Sequence, residues 1–209
     1  MFYVFEGIDG SGKSTQARRF KEYLERESGG QVLEVREPGG TVLGEKVREI
    51  LLDPASGELS PEVEVFLFMA ARAHLCYTRI RPALDQGAMV VADRFVWSSV
   101  VYQGIVSGLG FDAVIELGRV ATGGMEPDCT FLIDIDPDVA FARIGYQDRM
   151  EGRGVDFQRQ VRDGYLTLAR SLSDQFVVVD GRGDPEAVHW RVLGALKDRG
   201  VSAKTGGEA

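Results

Sequence analysis

Gly7-Ile8-Asp9-Gly10-Ser11-Gly12-Lys13-Ser14 follows the apolar run Phe2-Tyr3-Val4-Phe5 and opens a stretch with a helical pattern. It fits G-x-x-x-x-G-K-[ST], the phosphate-binding loop between a strand and a helix. The glycines let the backbone wrap an anion with its N–H groups turned inward, and the following helix adds its positive N-terminal end. Lys13 is placed to reach the β- and γ-phosphates of a nucleoside triphosphate, and the Ser14 hydroxyl to bind Mg²⁺. The loop leaves the phosphoryl acceptor open: water, a protein or a small molecule.

Working outward, strand-like runs recur between helical patterns at Phe2–Phe5, Val32–Val35, Met89–Ala92, Thr130–Ile135 and Phe176–Val179. Continuous apolar strands separated by helices predict a parallel sheet covered on both faces, hence one five-stranded doubly wound α/β domain. The 209 residues suffice for one such core, and the hydrophobic share of 44% and charged share of 27% are ordinary for a soluble globule. A net charge of −8 argues against nucleic acid or an anionic membrane as the main partner, so an anionic substrate must be met by local arginines. Cys76 and Cys129 lie far apart with no metal-like spacing, and the N-terminal apolar run stops at Glu6, so a reduced, cytoplasmic protein is expected. The segment 201–209 reads as a disordered polar tail.

Loops after the C-terminal ends of parallel strands form the ligand crevice. The first such segment after the phosphate loop is Arg36-Glu37-Pro38-Gly39-Gly40-Thr41, with Thr41 able to cap a helix running to about Leu52. Ser60-Pro61 starts a long helix to about Leu84, on which Phe68 and Arg72 share a face. Such a pair can stack on a base and bond its edge, although a core phenylalanine beside a solvated arginine is the commoner arrangement. Asp93-Arg94-Phe95 ends the third strand beside the phosphates, and Ser99, Tyr102 and Gln103 follow on one helical face. Arg143 to Arg162 is basic and glycine-containing, the composition of a lid or of a solvated connection. His74 and His189 have no metal-ligand spacing and read as structural.

Taken in order, Phe5 to Thr15, Arg36 to Thr41, Ala70-Ala71-Arg72, Asp93-Arg94-Phe95, Ser98-Ser99 with Tyr102-Gln103-Gly104, and Asp148-Arg149-Met150-Glu151 resemble the thymidylate kinases, in their bacterial form, from about Phe2 to Arg199. The resemblance implies a P-loop kinase fold with sheet order 2-3-1-4-5 and a mobile lid at about 143–156 in a single domain of residues 1–200. It further implies a homodimer, and transfer of the γ-phosphoryl of ATP to dTMP. Carried over by position, Gly7, Ile8, Asp9, Gly10, Ser11, Gly12, Lys13, Ser14 and Thr15 are expected around ATP, and Ser14 with Asp93 at Mg²⁺. Phe68 is expected to stack on thymine, with Arg72 and Gln103 on its polar edge and Ser99 nearby. Tyr102 is expected against the sugar, Asp9 near the 3′-hydroxyl, and Arg94 on the acceptor phosphate, with Glu37 and Arg48 in the same pocket. The bacterial form that the chain resembles has a small residue at the place of Gly10 and basic residues in the lid, which implies that Arg149, with Arg143 and Arg153, reaches the ATP phosphates. Lys13, Arg94, Arg149 and Asp9 form the expected catalytic set. The lid departs from the commoner pattern at Tyr146-Gln147 and in its glycine-rich Gly152-Arg153-Gly154, which leaves the critical lid arginine open.

Three rivals stand beside this reading. The nearest is another P-loop kinase, either a different monophosphate kinase or a deoxynucleoside kinase, which would need a carboxylate base, with Glu37 or Asp93 as candidates. A GTP-dependent switch would read guanine through an Asn-Lys-x-Asp motif, and the chain contains no asparagine. A noncatalytic scaffold is at odds with intact Lys13, Ser14 and Arg94.

Overall fold

The computed structural model describes residues 1–144 and 148–199. Gly145, Tyr146 and Gln147 of the expected lid, Gly200 and the expected tail 201–209 lie outside the described residues.

Five parallel strands, β1 (Phe2–Glu6), β2 (Val32–Arg36), β3 (Met89–Asp93), β4 (Cys129–Asp134) and β5 (Phe176–Asp180), form one sheet of order β2-β3-β1-β4-β5. The central strands β1 and β3 are buried at every position, which is why they are apolar up to a closing carboxylate rather than alternating. Register sets Phe5 beside Asp93 and Glu6 beside Leu132, so the carboxylates of Glu6 and Asp93 end neighbouring strands at the same edge of the sheet.

Helices cover both faces: α1 (Lys13–Ser28), α2 (Val42–Leu52), α3 (Pro61–Leu75), α4 (Arg81–Asp85), α5 (Val96–Ser99), α6 (Phe111–Thr122), α7 (Pro137–Phe141), α8 (Val155–Ser171) and α9 (Pro185–Asp198). On the α1 and α9 side, Phe20 meets Tyr3 edge-on at 5.0 Å and packs with Phe5 and Phe131. Boundaries follow local chemistry. Gly29 closes α1 in the left-handed region, the Thr41 hydroxyl accepts from the Gly44 amide at 2.9 Å, and Ser60 with Pro61 opens α3.

The long helix expected from Pro61 to Leu84 is instead interrupted by a π-helical turn at Cys76–Ile80 before α4 resumes the path. Pro82 lacks the N–H that would complete the ladder one turn back, and the wider turn absorbs the defect. A second π-helical stretch, Val100–Val106, continues α5 and brings Tyr102 and Gln103 inward together with Ser99. Cys76 and Cys129 are unpaired and buried, and burial pushes their thiols up to about 12 and about 11, so neither is a reactive thiolate.

Candidate active site

The phosphate loop joins β1 to α1, and its backbone demands glycine. Gly10 sits at φ 75, where an added Cβ would lie 2.2 Å from the Ala140 carbonyl oxygen, and Gly12 caps α1 at φ 91. The Lys13 ammonium is buried and donates to the Ile8 carbonyl at 3.4 Å and to Asp9 at 3.3 Å. Asp9 also accepts from the Arg94 guanidinium at 2.6 Å, so one carboxylate holds two cations side by side. Burial works to raise the Asp9 carboxyl, but Arg94 and Lys13 overcome it and hold the group well below the usual carboxylate range.

Arg94 follows directly on β3 with φ 72, a left-handed conformation that a non-glycine residue adopts only under constraint. The constraint is visible: its backbone amide bonds the Phe5 carbonyl at 3.0 Å, and its guanidinium donates to Ser98 at 2.9 Å and lies 5.2 Å from the Tyr102 ring centroid. Behind it, fully buried Glu6 accepts from the Phe95 and Ser98 amides, from the Ser98 hydroxyl at 2.6 Å and from the Tyr165 hydroxyl at 2.7 Å. Glu6 thereby fixes the turn that aims Arg94.

A cavity of about 440 Å³ runs from Asp9, Gly10, Lys13 and Ser14 past Asp93 and Arg94 to Phe68, Ser99, Tyr102 and Gln103, with Glu37, Arg48, Asp148, Met150 and Glu151 along its walls. The structure therefore brings most of the expected acceptor residues and the phosphate loop to a single cleft. One Asp93 carboxylate oxygen, Oδ1, is sealed from solvent without a hydrogen-bond partner among the described residues. Arg48 donates to the Pro38 carbonyl at 3.1 Å. On the other side of the loop, residues Gly10 to Gln16 with Arg143, Gly181, Gly183, Pro185 and Val188 line a second space of about 470 Å³ that shares Lys13 and Ser14 with the first. Thr15 faces this second space.

Two expectations change. Arg72 is neither solvated nor facing the cavity: it is 1% exposed, while Phe68 lines the cavity half-buried. Its five donors go to Glu37 (Nε at 2.7 Å, Nη2 at 2.6 Å), Ser99 and the Met69 sulfur (each 3.1 Å from Nη1) and the Phe95 carbonyl (3.0 Å). Arg149 and Arg153, expected on the ATP phosphates, turn instead to Glu64 on α3; Arg149 reaches it at 2.8 Å and also donates to the Leu51 carbonyl at 2.8 Å. Among the three arginines expected in a lid, only Arg143 borders the phosphate loop, its guanidinium 3.5 Å from the Gly10 carbonyl.

Sequence reading assigned no role to Glu6, Glu64, Gln158 or Tyr165. Gln158 donates to Asp9 at 3.3 Å, and Tyr165 lies one turn pair further along α8 on the same buried face. The available signal was spacing: Gln158, Val161, Tyr165 and Leu168 occupy core positions of α8, and Glu64 stands one turn before Phe68.

Burial pushes the Glu37 carboxyl up to about 7 against the pull of Arg72. Folding thus raises this group above its ordinary value, so between roughly pH 5 and 7 the folded protein keeps a proton that the unfolded chain has lost, and stability from this group falls as pH rises through that window. Glu37→Gln removes the proton site. The difference in unfolding free energy between wild type and variant should move in favour of the variant from about pH 5 to pH 8. A difference that stays flat in urea titrations across that range would sink the assignment.

The family model for thymidylate kinase matches residues 5–192. The thymidylate kinase of Caldanaerobacter subterraneus is 44% identical to this chain over 205 residues, which span 97% of this chain and 98% of the relative. That of Kosmotoga olearia is 47% identical over 196 residues, 92% of this chain and 93% of the relative. Among solved structures, thymidylate kinase from Ehrlichia chaffeensis matches with a TM-score of 0.78 at 35% identity, over 94% of this chain and 98% of that one. With a strand order, a phosphate loop and a cleft that agree with these matches, the chain belongs to the thymidylate kinase family.

Proposed function

We propose that the cavity lined by Phe68, Arg94, Ser99, Tyr102 and Gln103 is the dTMP site and that ATP lies along residues 7–15 with its base toward Gly181, Gly183 and Pro185. As a member of its family the chain transfers the γ-phosphoryl group of ATP to dTMP, giving dTDP and ADP for dTTP synthesis. One observation carries the site reading: Asp9 ties Lys13 and Arg94 together at the junction of the two spaces, where donor and acceptor phosphates must meet.

The acceptor phosphate is already anionic near neutral pH, so transfer needs positioning and charge stabilisation rather than a strong base. Lys13 serves the β- and γ-phosphates, Arg94 holds the acceptor phosphate, and Asp9 keeps the two cations oriented against their mutual repulsion. Phe68 stacks on the base; Ser99 and Gln103 bond its edge. Arg72 stands behind them and acts on the base through Ser99, which it holds together with Glu37. Tyr102, pinned by 3.3 Å bonds to Arg94 and Asp9, favours a sugar without a 2′-hydroxyl.

Mg²⁺ suits the donor set: Asp93 and Ser14 line the same cavity, one Asp93 carboxylate oxygen has no hydrogen-bond partner among the described residues, and this ion favours a few protein oxygens completed by phosphate and water. When bound, it neutralises charge on the transferring phosphate. Residues 143–156 act as the lid of a single domain of residues 1–200, and Arg143 is the lid arginine best placed for ATP. Val63, Phe66 and Tyr77 are exposed along the Pro61–Asp85 helical path, which supports a homodimer through this face. No helix among the described residues is long and apolar enough to cross a membrane, and the unpaired buried cysteines fit a reducing cytoplasm.

ADP release with ATP and Mg²⁺ should be strong with dTMP, weaker with dUMP, and near background with dCMP, thymidine or no acceptor. Turnover of thymidine with dTMP inert would withdraw the assignments of Phe68, Ser99 and Gln103 and leave the phosphate loop standing.

A further inference from the structure

Glu64 is fully buried on α3, one turn before Phe68, and its carboxylate serves three partners. Oε2 accepts the Gln103 side-chain amide at 3.0 Å, while Oε1 accepts Arg149 at 2.8 Å and Arg153. Arg153 also lies over the Phe157 ring at 4.9 Å, and the Arg149 amide bonds the Leu52 carbonyl at 3.0 Å. The segment carrying these arginines contributes Asp148, Met150 and Glu151 to the cavity wall. Glu64 therefore joins Gln103 in the cavity lining to the segment that carries Asp148, Met150 and Glu151.

From this geometry we infer that Glu64 is a positioning residue that sets pyrimidine specificity by fixing which end of the Gln103 amide meets the base; the inference rests on the dTMP assignment of the cavity. A carboxylate only accepts hydrogen bonds. Gln103 must therefore present its NH₂ group to Glu64, which turns the carbonyl oxygen of the planar amide away from it. That oxygen has no protein partner among the described residues and is not sealed, and Gln103 lines the cavity. An acceptor at this place matches the N3–H donor of thymine or uracil. Against cytosine it sets a lone pair on the unprotonated N3, an unpaired buried contact of the kind that produces strong rejection. Without the carboxylate, the amide is free to flip and offer its NH₂ group to cytosine. The two arginines hold the other oxygen, so Glu64 stays in place as the amide is read.

The test is kcat/KM for dTMP and dCMP, with thermal unfolding alongside, in wild type and Glu64→Gln. Glutamine keeps the shape but has both a donor and an acceptor, so it accommodates either orientation of Gln103. The dTMP-to-dCMP preference should fall by about 10- to 100-fold, with the KM for ATP little changed. The double variant with Gln103→Ala should show no further loss of preference beyond Gln103→Ala alone, because Glu64 acts through that amide. In wild-type protein, the Gln103 side-chain NH₂ resonances, identified by their absence in Gln103→Ala, should exchange slowly with solvent. This measurement stands even if Glu64→Gln fails to fold. A wild type that prefers dTMP together with a Glu64→Gln protein of unchanged preference overturns the role of Glu64 alone, as does rapid exchange of the Gln103 amide. A wild type that prefers dCMP, or turns over neither, overturns the pocket assignment and this inference with it.

Discussion

Arg94→Ala should lower kcat with dTMP by about 10²–10³-fold, the scale of removing a preorganised donor from developing charge. Among the described residues, its side chain is the one cation that lines the cavity proposed for dTMP while bonded to Asp9, Ser98 and Tyr102. Its guanidinium can meet a phosphate with a fork of donors, which an ammonium cannot, so Arg94→Lys should recover only part of the loss. Fold should survive the alanine substitution, because Asp9 retains Lys13 and Glu6 retains four other donors. Steady-state kinetics beside a melting curve decide the matter. A well-folded Arg94→Ala enzyme with kcat within tenfold of wild type would remove Arg94 from the acceptor phosphate.

Arg72→Ala should act first on stability. It breaks a buried pair and strands Glu37, whose Oε1 already lacks a partner, so unfolding free energy should drop by about 3–5 kcal/mol. The loss should be greater at pH 8 than at pH 5, because a protonated Glu37 tolerates the missing cation better. Affinity for dTMP should also weaken, by about 1.5–3 kcal/mol, since Ser99 loses the charged donor that holds it at the cavity wall. ATP binding should barely change. Pairing Arg72→Met with Glu37→Gln should restore part of the stability and little of the dTMP affinity. Denaturant titration showing a loss below about 1 kcal/mol for Arg72→Ala would refute the buried-pair account.

The different standing of Arg72 shows where reading along the chain runs out. Its spacing from Phe68 was plain, and so was a shared face. Which of the two would be buried depended on Glu37, a residue 35 positions earlier that reaches Arg72 only through the loop after β2. Burial of a charge is decided by whether a partner arrives, and partners arrive through tertiary packing. Arg149 and Arg153 illustrate the same rule: local composition marked a basic segment, while their docking on Glu64 brings together positions 85 and 89 residues apart. Glu6, Gln158 and Tyr165 went unassigned because a polar residue at a core position says only that something must satisfy it.

What the sequence by itself determined was whatever rests on local periodicity and short-range backbone chemistry. Strands buried on both faces must be continuously apolar, a phosphate loop needs glycines that can adopt positive φ, and helices start and stop at their capping residues; all of these can be read within a dozen residues. Tertiary structure alone decided which charges became buried pairs, which arginines face the cleft, and how Glu6 and Asp9 hold Arg94 in its constrained turn. Those outcomes depend on groups brought within about 3 Å by the fold, where desolvation and pairing are both large and nearly cancel, so the balance is set only once every neighbour is in place.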